Sequence, residues 1–160
     1  MGTKPTLILV RHANRDTSDP HLDNGLNEEG KTQAKALAEQ LRSVTGLESP
    51  KLISSPRARC IETLEPIKRL TRQPIQIDPR MLEERPDEGA VAFKYRIQEF
   101  LKEWYRHSEG TTIVCSHADW LSYALKLLVG ARGSFKKAAW VEIGISNKKP
   151  VLKLRPNFTS

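Results

Sequence analysis

Two short aliphatic runs, each closed by a histidine, constrain this chain more than any other feature. Leu7-Ile8-Leu9-Val10 leads into Arg11-His12, and Thr111-Thr112-Ile113-Val114-Cys115 leads into Ser116-His117. A continuous apolar run of four or five residues is what a strand buried on both faces requires. Whatever follows the carboxyl end of such a strand is held at a rigid sheet edge, and in open α/β sheets ligands bind at that edge. The two runs therefore predict two strands that deliver two imidazoles and a guanidinium to one place. A cation beside an imidazole is suited to seizing an anion and attacking it.

The rest of the chain supplies the layers such a sheet needs. Residues 6–10 read as a strand, followed by a long polar loop over 13–26. Asn27 is placed to cap a helix, with Glu28 and Glu29 in its first turn and Ala34, Leu37, Ala38 and Leu41 on one face. A strand at 51–54 precedes a helix through Leu64, Ile67 and Leu70, which Pro66 is expected to kink or break. Residues 75–77 read as a third strand. A helix burying Phe93, Ile97, Phe100, Leu101 and Trp104 then leads to the strand ending at Cys115. An apolar helix from about Asp119 is stopped by Gly130. Strands at 140–145 and 151–154 are joined by a loop of hairpin length. The expected fold is a single domain over 1–160: a three-layer α/β/α sandwich, its central sheet mainly parallel with an antiparallel edge strand. Trp104, Trp120 and Trp140 fall in apolar patterns and are expected in the core.

Composition narrows the class. A chain of 160 residues can bury roughly two thirds of its unfolded surface without a metal or disulfide staple. Cys60 and Cys115 form no CxxC pair and read as buried free thiols of a reducing compartment. The stretch before the first strand is too short for a secretory signal, so a cytoplasmic location is expected. The formal charge of +7 is concentrated after Ala131, in Arg132, Lys136, Lys137, Lys148, Lys149, Lys153 and Arg155, opposed only by Glu142. Without interleaved aromatics this reads as a solvated surface with lysine-guarded edge strands rather than a nucleic-acid site. His21 and His107 read as surface residues.

Three strand-to-helix junctions thus bring polar groups to one edge: Arg11, His12, Asn14 and Arg15; the stretch Ser54-Ser55-Pro56-Arg57-Ala58-Arg59; and Ser116, His117 and Asp119. Several guanidinium forks, two imidazoles and helix starts suit a dianionic tetrahedral ligand. At these residues the chain resembles the histidine phosphatase superfamily, in its phosphoglycerate-mutase-like branch. Arg11-His12 is similar to its Arg-His-Gly signature. Leu26-Asn27-Glu28-Glu29-Gly30, continuing to Gln33-Ala34, resembles Leu-Thr-x-x-Gly-x-x-Gln-Ala. Ser55-Pro56-Arg57-Ala58-Arg59-Cys60-Ile61-Glu62-Thr63 resembles Ser-Pro-x-x-Arg-Ala-x-x-Thr. Leu82-Glu83-Glu84-Arg85 resembles Leu-x-Glu-Arg, and Val114-Cys115-Ser116-His117 resembles the second-histidine segment. These matches keep the family's order from Thr6 to about Ala124. The chain departs from the pattern at Ala13 and Ala118, where glycines are usual, and at Cys60, where alanine is usual.

The resemblance implies a metal-independent phosphatase without a cofactor. His12 would be the phosphoryl-accepting nucleophile and Glu84 the proton donor. Arg11, Arg59 and His117 would hold the phosphate, with Arg15 a further contact. In that register Arg57 is not a phosphate ligand, and no role passes to Asp119, which helps to begin its helix. The small size resembles the phosphohistidine phosphatases, with only 13–26 and 80–89 spare to wall the site. The expected substrate is a phosphorylated small molecule or a phosphohistidine protein. The alternative is a non-catalytic phosphate-recognition or protein-interaction module on the same fold. Neither nucleic acid nor membrane is an expected partner.

Overall fold

The structure, a computed structural model, describes residues 5–45, 47–154 and 158–159. Readings that fall on residues 1–4 and on Arg155 lie outside them. Strand β1 (Thr6–Arg11) is followed by α1 (Glu28–Thr45), β2 (Lys51–Ser54), α2 (Ala58–Thr71), β3 (Ile75–Ile77) and a 3-10 turn (Pro79–Met81). After these come α3 (Ala90–His107), β4 (Thr111–Ser116), α4 (Ala118–Val129) and β5 (Ser134–Phe135). The hairpin β6 (Trp140–Ser146) and β7 (Lys149–Leu154) and a short β8 (Phe158–Thr159) complete the order.

Six strands form the central sheet in the order β3-β2-β4-β1-β6-β7. The first four are parallel, whereas β6 runs antiparallel to β1 and β7 antiparallel to β6. The antiparallel part is thus two strands deep, one strand more than expected.

Alternation along the buried strands feeds two cores. Leu7 and Leu9 face α3 and α4, with Val114, Phe93, Ile97, Trp104 and Trp120. Ile8 and Val10 face α1 and α2, with Ile113, Leu37, Leu41, Leu64 and Ile67. This is the three-layer arrangement expected, with all three tryptophans buried. Burying each large aliphatic side chain contributes about 1.5–3 kcal/mol. Both cysteines are free and buried. Among the described residues no helix is long and apolar enough to cross a membrane.

Local chemistry explains most of the boundaries. Asn27 Oδ1 accepts from the Gly30 amide at 2.8 Å, capping α1. Gly130 ends α4 in the left-handed conformation at φ 69°. The β6–β7 connection is tighter than the loop expected, because Asn147 and Lys148 both adopt left-handed φ, 51° and 64°, and Ser146 pairs directly with Lys149. Two successive left-handed residues match the twist of the flanking strands.

Helix α2 departs from expectation. It runs unbroken past Pro66, because Leu64 and Ile67 lock its inner face against α1 while the Pro66 turn lies on the partly exposed side. Leu70, expected on the buried face, is 40% exposed. Because proline removes a helical hydrogen bond, Pro66→Ala is expected to raise stability by about 1–3 kcal/mol. A higher urea midpoint at unchanged m-value would show this.

Candidate active site

The register of β1 on β4 sets Arg11 opposite Ser116. The chain leaves both strands at the same level, so the His12 and His117 rings lie 5.4 Å apart, centroid to centroid. The His12 amide donates to the Ser116 carbonyl at 3.2 Å and the Ser55 amide to the Cys115 carbonyl at 3.0 Å, which brings the three junctions together.

His12 is 5% exposed. Burial lowers its pKa to about 3, with the charges of His117, Arg59 and Lys137 adding to the effect; a hydrogen bond to the Ala13 carbonyl opposes it. That bond, at 2.9 Å, ends on an atom that can only accept. Nδ1 therefore carries the ring proton and Nε2 holds the lone pair.

Residues of the quoted signatures hold this loop. The Ala13 amide donates to Thr63 Oγ1 at 2.9 Å and the Asn14 amide to Gln33 Oε1 at 2.8 Å. A Cβ on Gly30 would lie 2.0 Å from the Asn14 carbonyl oxygen, so that contact requires glycine. Neither Ala13 nor Ala118 has positive φ, so the alanines cost the turns no strain.

Around the histidines the cations outnumber their partners. Arg11 donates through Nη1 to the Phe135 carbonyl at 2.7 Å. The buried Nε–H groups of Arg11, Arg15 and Arg59 have no acceptor among the described residues. Burial lowers the pKa of both Arg11 and Arg59. His117 Nε2 is 2.9 Å from Ser55 Oγ and 3.7 Å from Cys60 Sγ.

One carboxylate enters this ring, that of Glu83. Its Oε2 is 2.7 Å from Arg59 Nη2 and 3.0 Å from His117 Nδ1, and its Oε1 accepts from Arg57 Nε at 2.8 Å. Burial pushes its pKa up, but His117, Arg57 and Arg59 outweigh that and hold it below the ordinary glutamate range. Glu84 lies differently. Its side chain is exposed, with no ion pair among the described residues, and its amide donates to Asp119 Oδ2 at 3.0 Å. The loop carrying both is clamped by Arg96, which donates to the carbonyls of Arg80, Leu82 and Glu83 at 2.6–2.8 Å. A cavity of about 450 Å³ adjoins this ring through Arg59 and Glu83; residues 20–23, Arg15, Arg57, Glu84 and Arg85 also line it, whereas neither histidine does. Parts of the two segments with spare length line this cavity.

Of the residues singled out in the sequence, Arg11, His12, Arg59 and His117 are brought together, and Arg15 and Glu84 line the adjoining cavity with Arg59. Sequence reasoning assigned no role to Glu83 or Lys137; it placed Ser55 and Arg57 at this edge without a role and set Arg57 outside the phosphate ligands. Ser55 and Arg57 lie inside the quoted motif, and Glu83 is adjacent to Glu84. Lys137 had no signal beyond its charge.

The sequence profile of the histidine phosphatase superfamily (branch 1) matches residues 7–89. The chain belongs to that family. It is a phosphatase by class. No curated protein sequence matches it significantly. Among solved structures it is similar to the alpha-ribazole phosphatase of Shigella flexneri, with 19% identity, TM-score 0.76, and 94% of this chain and 95% of that one covered. A phosphoserine phosphatase mutant from Entamoeba histolytica in complex with phosphoserine gives 16%, 0.77, 98% and 97%. The protein histidine phosphatase SixA complexed with tungstate gives 17%, 0.73, 97% and 96%. At these identities the likeness is one of fold.

The buried neutral His12 has a consequence for stability. Unfolding restores its ordinary pKa of 6.5 from about 3, so between those values the unfolded chain binds the extra proton and stability falls as pH falls. Replacing His12 by Asn removes that dependence. Urea titrations at pH 7 and pH 5 are expected to show wild type losing about 2 kcal/mol more than His12→Asn.

Proposed function

We propose that this protein is a metal-independent phosphatase that hydrolyses phosphomonoesters or protein phosphohistidine through a phosphohistidine on His12. The observation that carries the reading is the neutral, buried His12 beside the unpartnered Nε–H groups of Arg11, Arg15 and Arg59. A dianionic phosphoryl group brings the acceptor oxygens those donors lack, and cations already held in place stabilise the charge of the transfer.

His12 Nε2 attacks phosphorus, forming an N–P bond as the bond to the leaving oxygen breaks. Arg11, Arg15, Arg59 and His117 hold the phosphoryl oxygens. Glu83, clamped between Arg57, Arg59 and His117, stays anionic and marks where an oxyanion binds; a phosphoryl oxygen competes with it for Arg59 and His117. Glu84, exposed in the cavity lining and without an ion pair among the described residues, gives its proton to the leaving oxygen. It then takes one from the water that attacks the phosphohistidine, releasing inorganic phosphate and restoring His12. The cavity that adjoins Arg59 and Glu83 supports a small phosphate ester as substrate, because it offers room for a leaving group.

The test is inorganic phosphate release in EDTA from an alkyl phosphate, an aryl phosphate and a phosphohistidine-bearing protein. Wild type is expected to turn over at least one, and His12→Ala to lose roughly a thousandfold or more. No release by wild type that still binds phosphate would favour a recognition module instead. Glu84→Gln is expected to slow the alkyl ester by about 10²–10⁴. It should spare phosphohistidine, whose imidazole leaves readily; equal losses on both would remove Glu84 from the proton-transfer role.

A further inference from the structure

The strap between β5 and β6 is stitched to the nucleophile's own backbone. Arg11 Nη1 donates to the Phe135 carbonyl at 2.7 Å and the Arg11 amide to the Ala139 carbonyl at 3.0 Å. The Ala138 amide donates to the His12 carbonyl at 3.2 Å, and the Ala139 amide closes the turn on the Lys136 carbonyl at 2.9 Å. Ala138 completes this turn in the left-handed conformation at φ 59°. The strap presents its two lysines differently: Lys136 is exposed and Lys137 half-buried.

This turn sets Lys137 next in chain to the residue bonded to the His12 carbonyl, with its side chain partly buried. Burial lowers its pKa first, and repulsion from Arg11, Arg59 and Arg15 adds to that; its charge in turn acts on His12. Among the described residues no carboxylate forms an ion pair with it, although Lys31 and Lys102 on the helices each have one. A partly buried ammonium within reach of the charge of three guanidinium groups is unfavourable by itself and favourable once a dianion lies among them.

We infer that Lys137 is a phosphoryl-oxygen ligand of this site, supplied by the strap rather than by a strand-to-helix junction. The inference rests on the phosphatase reading above and adds to it a cation that the arginine–histidine signatures do not contain. Its ammonium donates to a phosphoryl oxygen in the bound and transferring states, where charge-assisted bonds are strongest.

Lys137→Gln, Lys137→Arg and Lys136→Gln would be compared with wild type for inorganic phosphate binding by calorimetry, aryl phosphate turnover and melting temperature. Lys137→Gln is expected to weaken phosphate about tenfold or more and to lower kcat/KM by roughly 10–100-fold, the scale of one charge-assisted hydrogen bond. Lys137→Arg should recover most of both, and Lys136→Gln should stay within about twofold of wild type. Without phosphate, Lys137→Gln should melt no lower than wild type, because it removes like-charge repulsion. Unchanged phosphate binding in Lys137→Gln would overturn the inference. So would a lowered melting temperature with no rescue by Lys137→Arg, which marks a packing role. Phosphate binding is read without turnover, so an active His12→Ala enzyme would sink the phosphohistidine mechanism while leaving the Lys137 result to stand or fall separately.

Discussion

The parallel pairing of β1 with β4, Arg11 opposite Ser116, is the constraint on which the site depends. Side chains alternate across a sheet, so a slip of one residue would send Leu7 and Leu9 to the wrong core and separate the two imidazoles. The slip is opposed by two buried faces at once, since Ile8 and Val10 meet α1 and α2 while Leu7 and Leu9 meet α3 and α4. The register that packs the cores also sets His12 beside His117. Core and chemistry are therefore specified by the same contacts.

On that frame the protein holds a concentration of positive charge that its own carboxylates only partly balance. Glu83 answers Arg57, Arg59 and His117, while Arg11 is turned toward a backbone carbonyl. Such an arrangement is maintained at a cost in folding free energy, offset by the two cores. Under the proposed function, the donors of such a site would need little reorganisation to receive a dianion. His12 stays neutral for a related reason: burial and surrounding cations both disfavour its protonated form.

Much of this was legible in the sequence, for reasons particular to each element. The strands at 7–10 and 111–115 are continuous aliphatic runs, Asn27 is a capping residue before an amphipathic stretch, and Gly130 follows the last apolar turn. All are local signals. The misreadings concern places where distant packing overrides a local rule. Pro66 is tolerated because α1 holds the inner face of α2, and Leu70 lies past the reach of that contact. Glu83 and Glu84 are neighbours that sequence cannot rank, since the clamp orienting their loop comes from Arg96 on another element. The Arg57 guanidinium meets the site through Glu83. Lys137 was invisible because its approach to His12 spans more than a hundred residues of chain.

The strand order carries a consequence for how the protein is made. Within the domain β1 is synthesised before any other strand, yet its neighbours are β4 and β6, which emerge from the ribosome about a hundred residues later. Until then Leu7-Ile8-Leu9-Val10 exposes both backbone edges and two apolar faces, a template for pairing with other chains. The segment that leads into His12 is thus an aggregation-prone stretch of the nascent chain. Its protection during translation must come from transient covers, such as the early helices α1 and α2 or a chaperone.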